Sequence, residues 1–123
     1  MSQLRLSYAY GASSQPLVGM TIGAKFDEAC QQYAEQDAVV SLHQNIRLNY
    51  RELQAQVNAF ACNLLKLGLK KGDRLAIWSP NCVEWTITQF AAFKAGIILV
   101  NLNPAYKSNE REYVSNKVSC KAL

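Results

Sequence analysis

Gly72-Asp73-Arg74-Leu75-Ala76-Ile77-Trp78-Ser79-Pro80-Asn81 opens on a turn, runs into apolar residues and ends on a breaker. One helix later comes Phe93-Lys94-Ala95-Gly96-Ile97-Ile98-Leu99-Val100-Asn101. Gly96 reads as a helix stop, because glycine takes the left-handed conformation without a Cβ clash. From Ile97 to Leu102 the chain is continuously apolar apart from Asn101. Such a run suits a parallel strand covered on both faces. The stretch therefore predicts a strand over 74–79, a helix from about 82 to 95 capped by Pro80-Asn81, and a strand over 97–102 stopped by Pro104. Strand, helix and strand joined by short turns make a parallel β-α-β unit.

The flanks extend this α/β pattern. Downstream, a helix is expected over 108–119, with Glu110 and Glu112 in its first turn and Lys117 in its last. Lys121-Ala122-Leu123 then reads as the start of another strand. Upstream, Leu53, Val57, Phe60, Leu64 and Leu67 step by four, three, four and three residues, so they share one helix face. Asn49 and Glu52 fit an N-cap and its reciprocal partner, and Gly68 is placed to end that helix. Residues 38–42 and 45–48 read as two short strands of a hairpin, turning at His43-Gln44 or Gln44-Asn45. Thr21 caps a helix over 22–35, in which Ile22, Phe26, Cys30 and Tyr33 recur at helical spacing. Residues 1–20 show no lasting period and are read as an irregular arm, leaving 21–123 as the folded portion.

The 123 residues bound the chain to one small domain at most. Half are hydrophobic and 18% are charged, which argues against global disorder. The net charge is +4, but only Lys70-Lys71 with Arg74 forms a cluster. Nucleic-acid binders concentrate charge on one face or arm, so no nucleic-acid partner is expected. Cys30, Cys62, Cys82 and Cys120 form no Cys-x-x-Cys motif. With no secretory signal, they read as reduced thiols in an intracellular compartment. No apolar run approaches the roughly 18 residues that span a bilayer. Met1 to Gly19 holds one basic residue, Arg5, whereas a mitochondrial transit peptide is richer in arginine.

Leu48-Asn49-Tyr50-Arg51-Glu52-Leu53, followed at this separation by Lys94-Ala95-Gly96 and Val100, resembles the first two core motifs of the adenylate-forming (AMP-dependent) synthetases. That superfamily includes acyl-CoA synthetases, luciferases and the adenylation domains of peptide synthetases. Pro80-Asn81-Cys82-Val83-Glu84-Trp85 is similar to its Pro-Asn-x-x-Glu-Trp turn. Asn101-Leu102-Asn103-Pro104-Ala105-Tyr106 resembles the Asn-Pro-x-Tyr loop of the medium-chain branch. The stretches at 7–14 and 16–23 are similar to the start of a mature mitochondrial medium-chain synthetase. Asn49 stands where the family usually has Thr or Ser, and Asn caps equally well.

The resemblance implies the N-terminal part of the adenylate-forming fold: parallel β-α-β units plus a small hairpin, incomplete. It implies a ligase in which a fatty carboxylate attacks the α-phosphate of ATP and coenzyme A then displaces AMP. Phosphoryl chemistry of this kind needs backbone N–H groups, a lysine and Mg²⁺ around the phosphate oxygens. The family's Ser/Thr/Gly-rich phosphate loop, its ribose-binding acid and its C-terminal lysine have no counterpart here, and neither Gly-Lys-Ser/Thr nor Gly-x-Gly-x-x-Gly occurs. No catalytic, cofactor-binding or metal-binding residue is therefore expected within 1–123. ATP, Mg²⁺ and coenzyme A belong to the parent enzyme, with none expected to bind the chain alone. The chain's partner would be the remainder of its own ligase domain, and its compartment, by resemblance, the mitochondrion.

The individual candidates read as structural. His43 sits near a hairpin tip with no base, nucleophile or metal partner in view. Lys70, Lys71 and Arg74 read as a solvated loop rather than a phosphate contact. Cys82 at a helix N-terminus would be a reactive thiol rather than a catalytic one. Trp78 and Trp85 read as core or subdomain contacts. The loop from Asn101 to Tyr106 follows the carboxyl end of a parallel strand, where ligands bind in open α/β sheets, yet reads as a structural turn. Two rival functions remain: a short non-catalytic product acting as a protein-interaction module, and an independent α/β nucleotide-binding module, against which the missing phosphate loop counts.

Overall fold

A computed structural model of the chain describes Gly11, Ser14, Gln15 and residues 17–123. Most of the arm expected over 1–20 lies outside the described residues. The elements run α1 (Ile22–Gln32), β1 (Asp37–Ser41), β2 (Ile46–Asn49), α2 (Tyr50–Lys66), β3 (Arg74–Ile77), α3 (Val83–Ala95), β4 (Ile98–Asn101) and α4 (Ser108–Lys117).

Thr21 caps α1, its Oγ1 accepting the Ala24 N–H at 3.2 Å. The helix stops three residues short of the expected end. The carbonyls of Ala34 and Gln36 instead accept the N–H groups of Arg51 and Tyr50 at 3.1 Å, giving partners to the orphan donors at the start of α2. β1 and β2 pair antiparallel, with an irregularity between Asp37 and Val39. Asn45 holds the turn at φ +53°, a left-handed position that asparagine tolerates.

α2 carries the expected capping box. Glu52 N–H donates to Asn49 Oδ1 at 2.8 Å, and Asn49 N–H donates to Glu52 Oε2 at 2.9 Å. Leu53, Val57 and Leu64 are buried on its inner face together with Ala61. Leu67 falls at the C-cap and is 77% exposed, so the buried stripe ends at Leu64, one step of the pattern sooner than its spacing predicts. Gly68 follows at φ +89°.

β3 and β4 pair in parallel, Leu75 beside Leu99 and Ala76 beside Val100. On the other flank of β3, Lys121 N–H donates to the Arg74 carbonyl at 2.8 Å and Ala76 N–H to the Ala122 carbonyl at 2.9 Å. That parallel bridge between Leu75 and Ala122 is the strand start expected at 121–123, and it makes β3 central. The expectation that 97–102 is covered on both faces is only half met. Ile97 and Leu102 are buried, but Ile98 is 52% exposed. α2 packs on α3 and α3 on β4, whereas α4 contributes no buried residue.

The core is one cluster running through Phe26, Cys30, Leu53, Val57, Ala91 and Ile97. Each large side chain buried there contributes roughly 1.5–3 kcal/mol. Phe26 and Phe90 stack with centroids 4.4 Å apart. Gly23 lets α1 approach α3 closely: a Cβ there would stand 3.2 Å from Lys94 Cα.

Candidate functional site

The carboxyl end of the parallel pair gathers Trp78, the loop after β4 and the first turns of α4. Asn103 organises it. Its carbonyl accepts Trp78 Nε1–H at 3.1 Å and Tyr106 N–H at 3.0 Å, and its Oδ1 accepts Ala105 N–H at 3.0 Å. The Arg111 guanidinium lies 4.0 Å over the Trp78 ring, a cation–π contact, and donates to Ser108 Oγ at 3.1 Å. The 101–106 loop is thus a hydrogen-bonded turn, and Trp78 joins β3 to α4. Trp85 is half-buried on α3. Beside Trp78, a groove of about 440 Å³ is lined by Phe60, Leu75, Ile77, Thr88, Ala122 and Leu123 among others.

The basic cluster is dispersed by its hydrogen bonds. Arg74 donates Nε–H to the Val118 carbonyl at 2.8 Å and Nη2–H to the Ser119 carbonyl at 3.1 Å. Nη1–H goes to the Gly72 carbonyl at 3.3 Å. Its guanidinium clamps the end of α4 rather than facing a ligand. The Lys70 N–H donates to Asp73 Oδ2 at 2.8 Å, which closes the turn. Lys70 and Lys71 themselves are exposed.

At the hairpin tip the sequence singles out His43, but the working residue is its neighbour. Gln44 Oε1 accepts the Val83 N–H at 2.8 Å and the Ser41 hydroxyl at 2.9 Å. Gln44 Nε2 donates to Glu84 Oε2 at 2.8 Å. Cys82, the N-cap residue of α3, makes no side-chain cap bond, so Gln44 satisfies one of the orphan donors from the hairpin. The Gln44 hydrogen bond, with the Glu84 N–H and the Cys82 side chain, holds the Glu84 carboxyl below the usual range. His43 Nδ1 lies 3.2 Å from Ser41 Oγ.

A polar knot joins the three helices. Lys94 Nζ donates to Asp27 Oδ1 and to Asn58 Oδ1, both at 2.6 Å, and Gln54 Nε2 donates to Asp27 Oδ1 at 2.7 Å. Burial acts to raise the Asp27 pKa, but the Lys94 and Gln54 hydrogen bonds and the Lys94 charge outweigh it and leave it lowered. Burial pushes the nearby Cys30 thiol up, Asp27 adds to this and Lys94 opposes it. All four cysteines are free thiols, and burial likewise raises Cys120 against the opposing charge of Arg74. Neither Asp27 nor Gln54 stands out in the sequence; only the helical spacing of 54 and 58 opposite 27 on the neighbouring helix hints at the knot.

Among the described residues no group of three His, Cys, Asp or Glu could hold a metal ion. Among the described residues, the basic cluster that the sequence offers does not fit a nucleotide's phosphates or Mg²⁺ either. The Arg74 guanidinium already serves carbonyls, and Lys70 and Lys71 lie at the amino end of the strands. These residues therefore support no chemical step through either group. No helix among the described residues is long and apolar enough to cross a membrane.

The AMP-binding enzyme family matches residues 26–123. The mouse protein named medium-chain acyl-CoA ligase ACSF2, mitochondrial, is 48% identical over 118 residues, which is 96% of this chain and 19% of the mouse protein. Its human counterpart is 45% identical over the same extents. The N-terminal domain of FACL13 from Mycobacterium tuberculosis, solved with an inhibitor bound, superposes with a TM-score of 0.81 at 27% identity, covering 83% of this chain and 26% of that one. The chain spans about a fifth of the length of the curated relatives it matches. What it shares with the solved structures is about a quarter of an N-terminal domain or subdomain.

Proposed function

The chain belongs to the AMP-binding enzyme family, and on that premise we propose that it is the N-terminal part of an AMP-forming acyl-CoA ligase for medium-chain fatty acids. The carrying observation is the 48% identity to a medium-chain acyl-CoA ligase across 96% of the chain. In the reaction proposed for the whole protein, a fatty carboxylate oxygen bonds to the α-phosphorus of ATP and pyrophosphate leaves. The thiolate of coenzyme A then bonds to the acyl carbon and AMP leaves. ATP with Mg²⁺, coenzyme A and the fatty acid are its proposed reactants, and the mitochondrion its proposed compartment.

In this reading residues 21–123 are scaffold, 1–20 are an arm, and no residue of the chain touches the reacting atoms. The remainder of the ligase domain is the partner that covers the apolar groove beside Leu75 and Ala122. The test is ATP-dependent acyl-CoA formation, measured with octanoate and with palmitate. The whole protein is expected to turn over octanoate faster, and the 123-residue chain alone to form no thioester. Faster turnover of palmitate would remove the medium-chain assignment, and thioester formation by the chain alone would remove the scaffold reading.

A further inference from the structure

The Ser41 hydroxyl carries one proton and lies within reach of two atoms that can accept it. Gln44 Oε1 is 2.9 Å away and His43 Nδ1 is 3.2 Å away. The start of α3 holds the Gln44 amide in one orientation. Its Oε1 accepts the Val83 N–H at 2.8 Å, and its Nε2 donates to Glu84 Oε2 at 2.8 Å. Turning the amide over would set an NH₂ against an N–H and a carbonyl oxygen against a carboxylate. Oε1 therefore faces Ser41 and can only accept, so the hydroxyl donates to it. With that proton committed, the contact to His43 is a hydrogen bond only when Nδ1 is the donor.

The proton count of the ring then decides whether the relay closes. A neutral imidazole has a single N–H, on either nitrogen. With that proton on Nε2, Nδ1 is an acceptor and competes with Gln44 for the Ser41 proton. The imidazolium has an N–H on both nitrogens and offers no such alternative. It donates from Nδ1, Ser41 donates to Gln44, and Gln44 serves Val83 and Glu84. From the start of α3, the titratable groups facing His43 are the Cys82 thiol and the Glu84 carboxyl. The thiol lies 3.3 Å from Ser79 Oγ. Glu84 is held below the usual carboxylate range chiefly by the Gln44 hydrogen bond, with a smaller contribution from the His43 charge. On the hairpin, Arg47 and Asp37 pair with each other.

We propose that His43 is a pH-sensitive latch between the hairpin and α3: the imidazolium keeps the Ser41–Gln44–Val83 relay in its one closed arrangement, and the neutral ring opens a second. Imidazoles change charge near neutral pH, so the latch closes as the pH falls through that range. Every bond of the relay is made by residues of this chain. The relay matters to α3 because the N-cap residue, Cys82, makes no side-chain cap bond, and Gln44 is the acceptor that the first turn uses instead. The inference is independent of the ligase reading, because its readout is local amide protection and not turnover.

The experiment follows amide hydrogen exchange by mass spectrometry on the full-length protein that carries this chain, at about pH 5.5, 6.5 and 7.5. Each rate is divided by that of the unfolded peptide at the same pH, which removes the base catalysis intrinsic to exchange. Protection of 82–86 is expected to be about three-fold higher at the lowest pH than at the highest, the effect of one weak hydrogen bond. Protection of 53–64, inside α2, is expected to stay constant. His43→Gln removes the titration and is expected to give a flat profile. Ser41→Ala keeps the histidine and its attraction to Glu84 but cuts the relay, and is also expected to be flat. Both positions lie outside the buried core. A flat profile in the unsubstituted protein, a profile of opposite sign, or a change shared with 53–64 overturns the proposal. So does a pH dependence that survives either substitution: survival in Ser41→Ala would assign the effect to the His43–Glu84 attraction alone, and survival in His43→Gln to a different group.

Discussion

Lys94 is the residue whose side chain ties α3 to both α1 and α2. Its side chain is 19% exposed, and the ammonium bonds to carboxylate and amide oxygens from two other helices. Asp27→Asn keeps the shape but removes the charge and leaves Lys94 without its counter-ion. The expected cost is about 1–2 kcal/mol, read by denaturant unfolding. The pH dependence has a definite sign. Asp27 has a lowered folded-state pKa, so the stability it contributes is fully present above its unfolded value of about 3.9. That stability is lost as the pH falls through the folded value, and the difference between native chain and variant should vanish there. Thiol chemistry should sort the cysteines by burial. Cys62 is exposed and Cys30 is buried with its pKa raised. Alkylation at neutral pH, followed by mass spectrometry, should label Cys62 well before Cys30.

At the scale of elements, what the sequence discloses is what local chemistry dictates. The α2 capping box is legible because both partners lie three residues apart, and Gly96 is legible because only glycine takes φ +72° at ease. Asn49→Ala should cost about 1 kcal/mol. Gly96→Ala should cost about as much, its Cβ meeting the Lys71 side chain at 3.0 Å. Both are checked by shifts in the urea midpoint. Gly23→Ala should also destabilise, although alanine is the better helix former by about 1 kcal/mol, because the new Cβ meets Lys94 backbone atoms. The features that escape the sequence are those made by residues far apart in it. Gln44 caps α3 from across the chain, and Arg74 finds its carbonyl partners beyond α4. Nothing in their neighbours announces either role. The end of α1 escapes for the same reason: Tyr33 keeps the helical period, but the carbonyls after it are claimed by the start of α2.

For the molecule as a whole, the β-α-β order follows from apolar runs and glycine stops, and the family follows from motifs at fixed separation. The place of 121–123 does not, since a third parallel strand could add to either flank of the pair. The structure puts it beside β3, opposite β4, with Arg74 anchoring both α4 and that bridge. Arg74→Ala should therefore speed amide hydrogen exchange across 108–122 while leaving the hairpin unchanged. The candidate site divides in the same manner. That the 101–106 loop turns is readable from Asn103 and Pro104, whereas the seating of the Trp78 ring between that loop and Arg111 emerges only when β3, β4 and α4 are brought together.

The Gln44 amide ties together two parts of the chain that share no strand. Its Oε1 is the acceptor for the Val83 N–H, and its Nε2 donates to Glu84 Oε2. The first turn of α3 is thereby fastened to the hairpin tip. A helix end that borrows its cap from a distant loop frays only when that loop lets go, so loosening of the hairpin tip and of the start of α3 is one event rather than two.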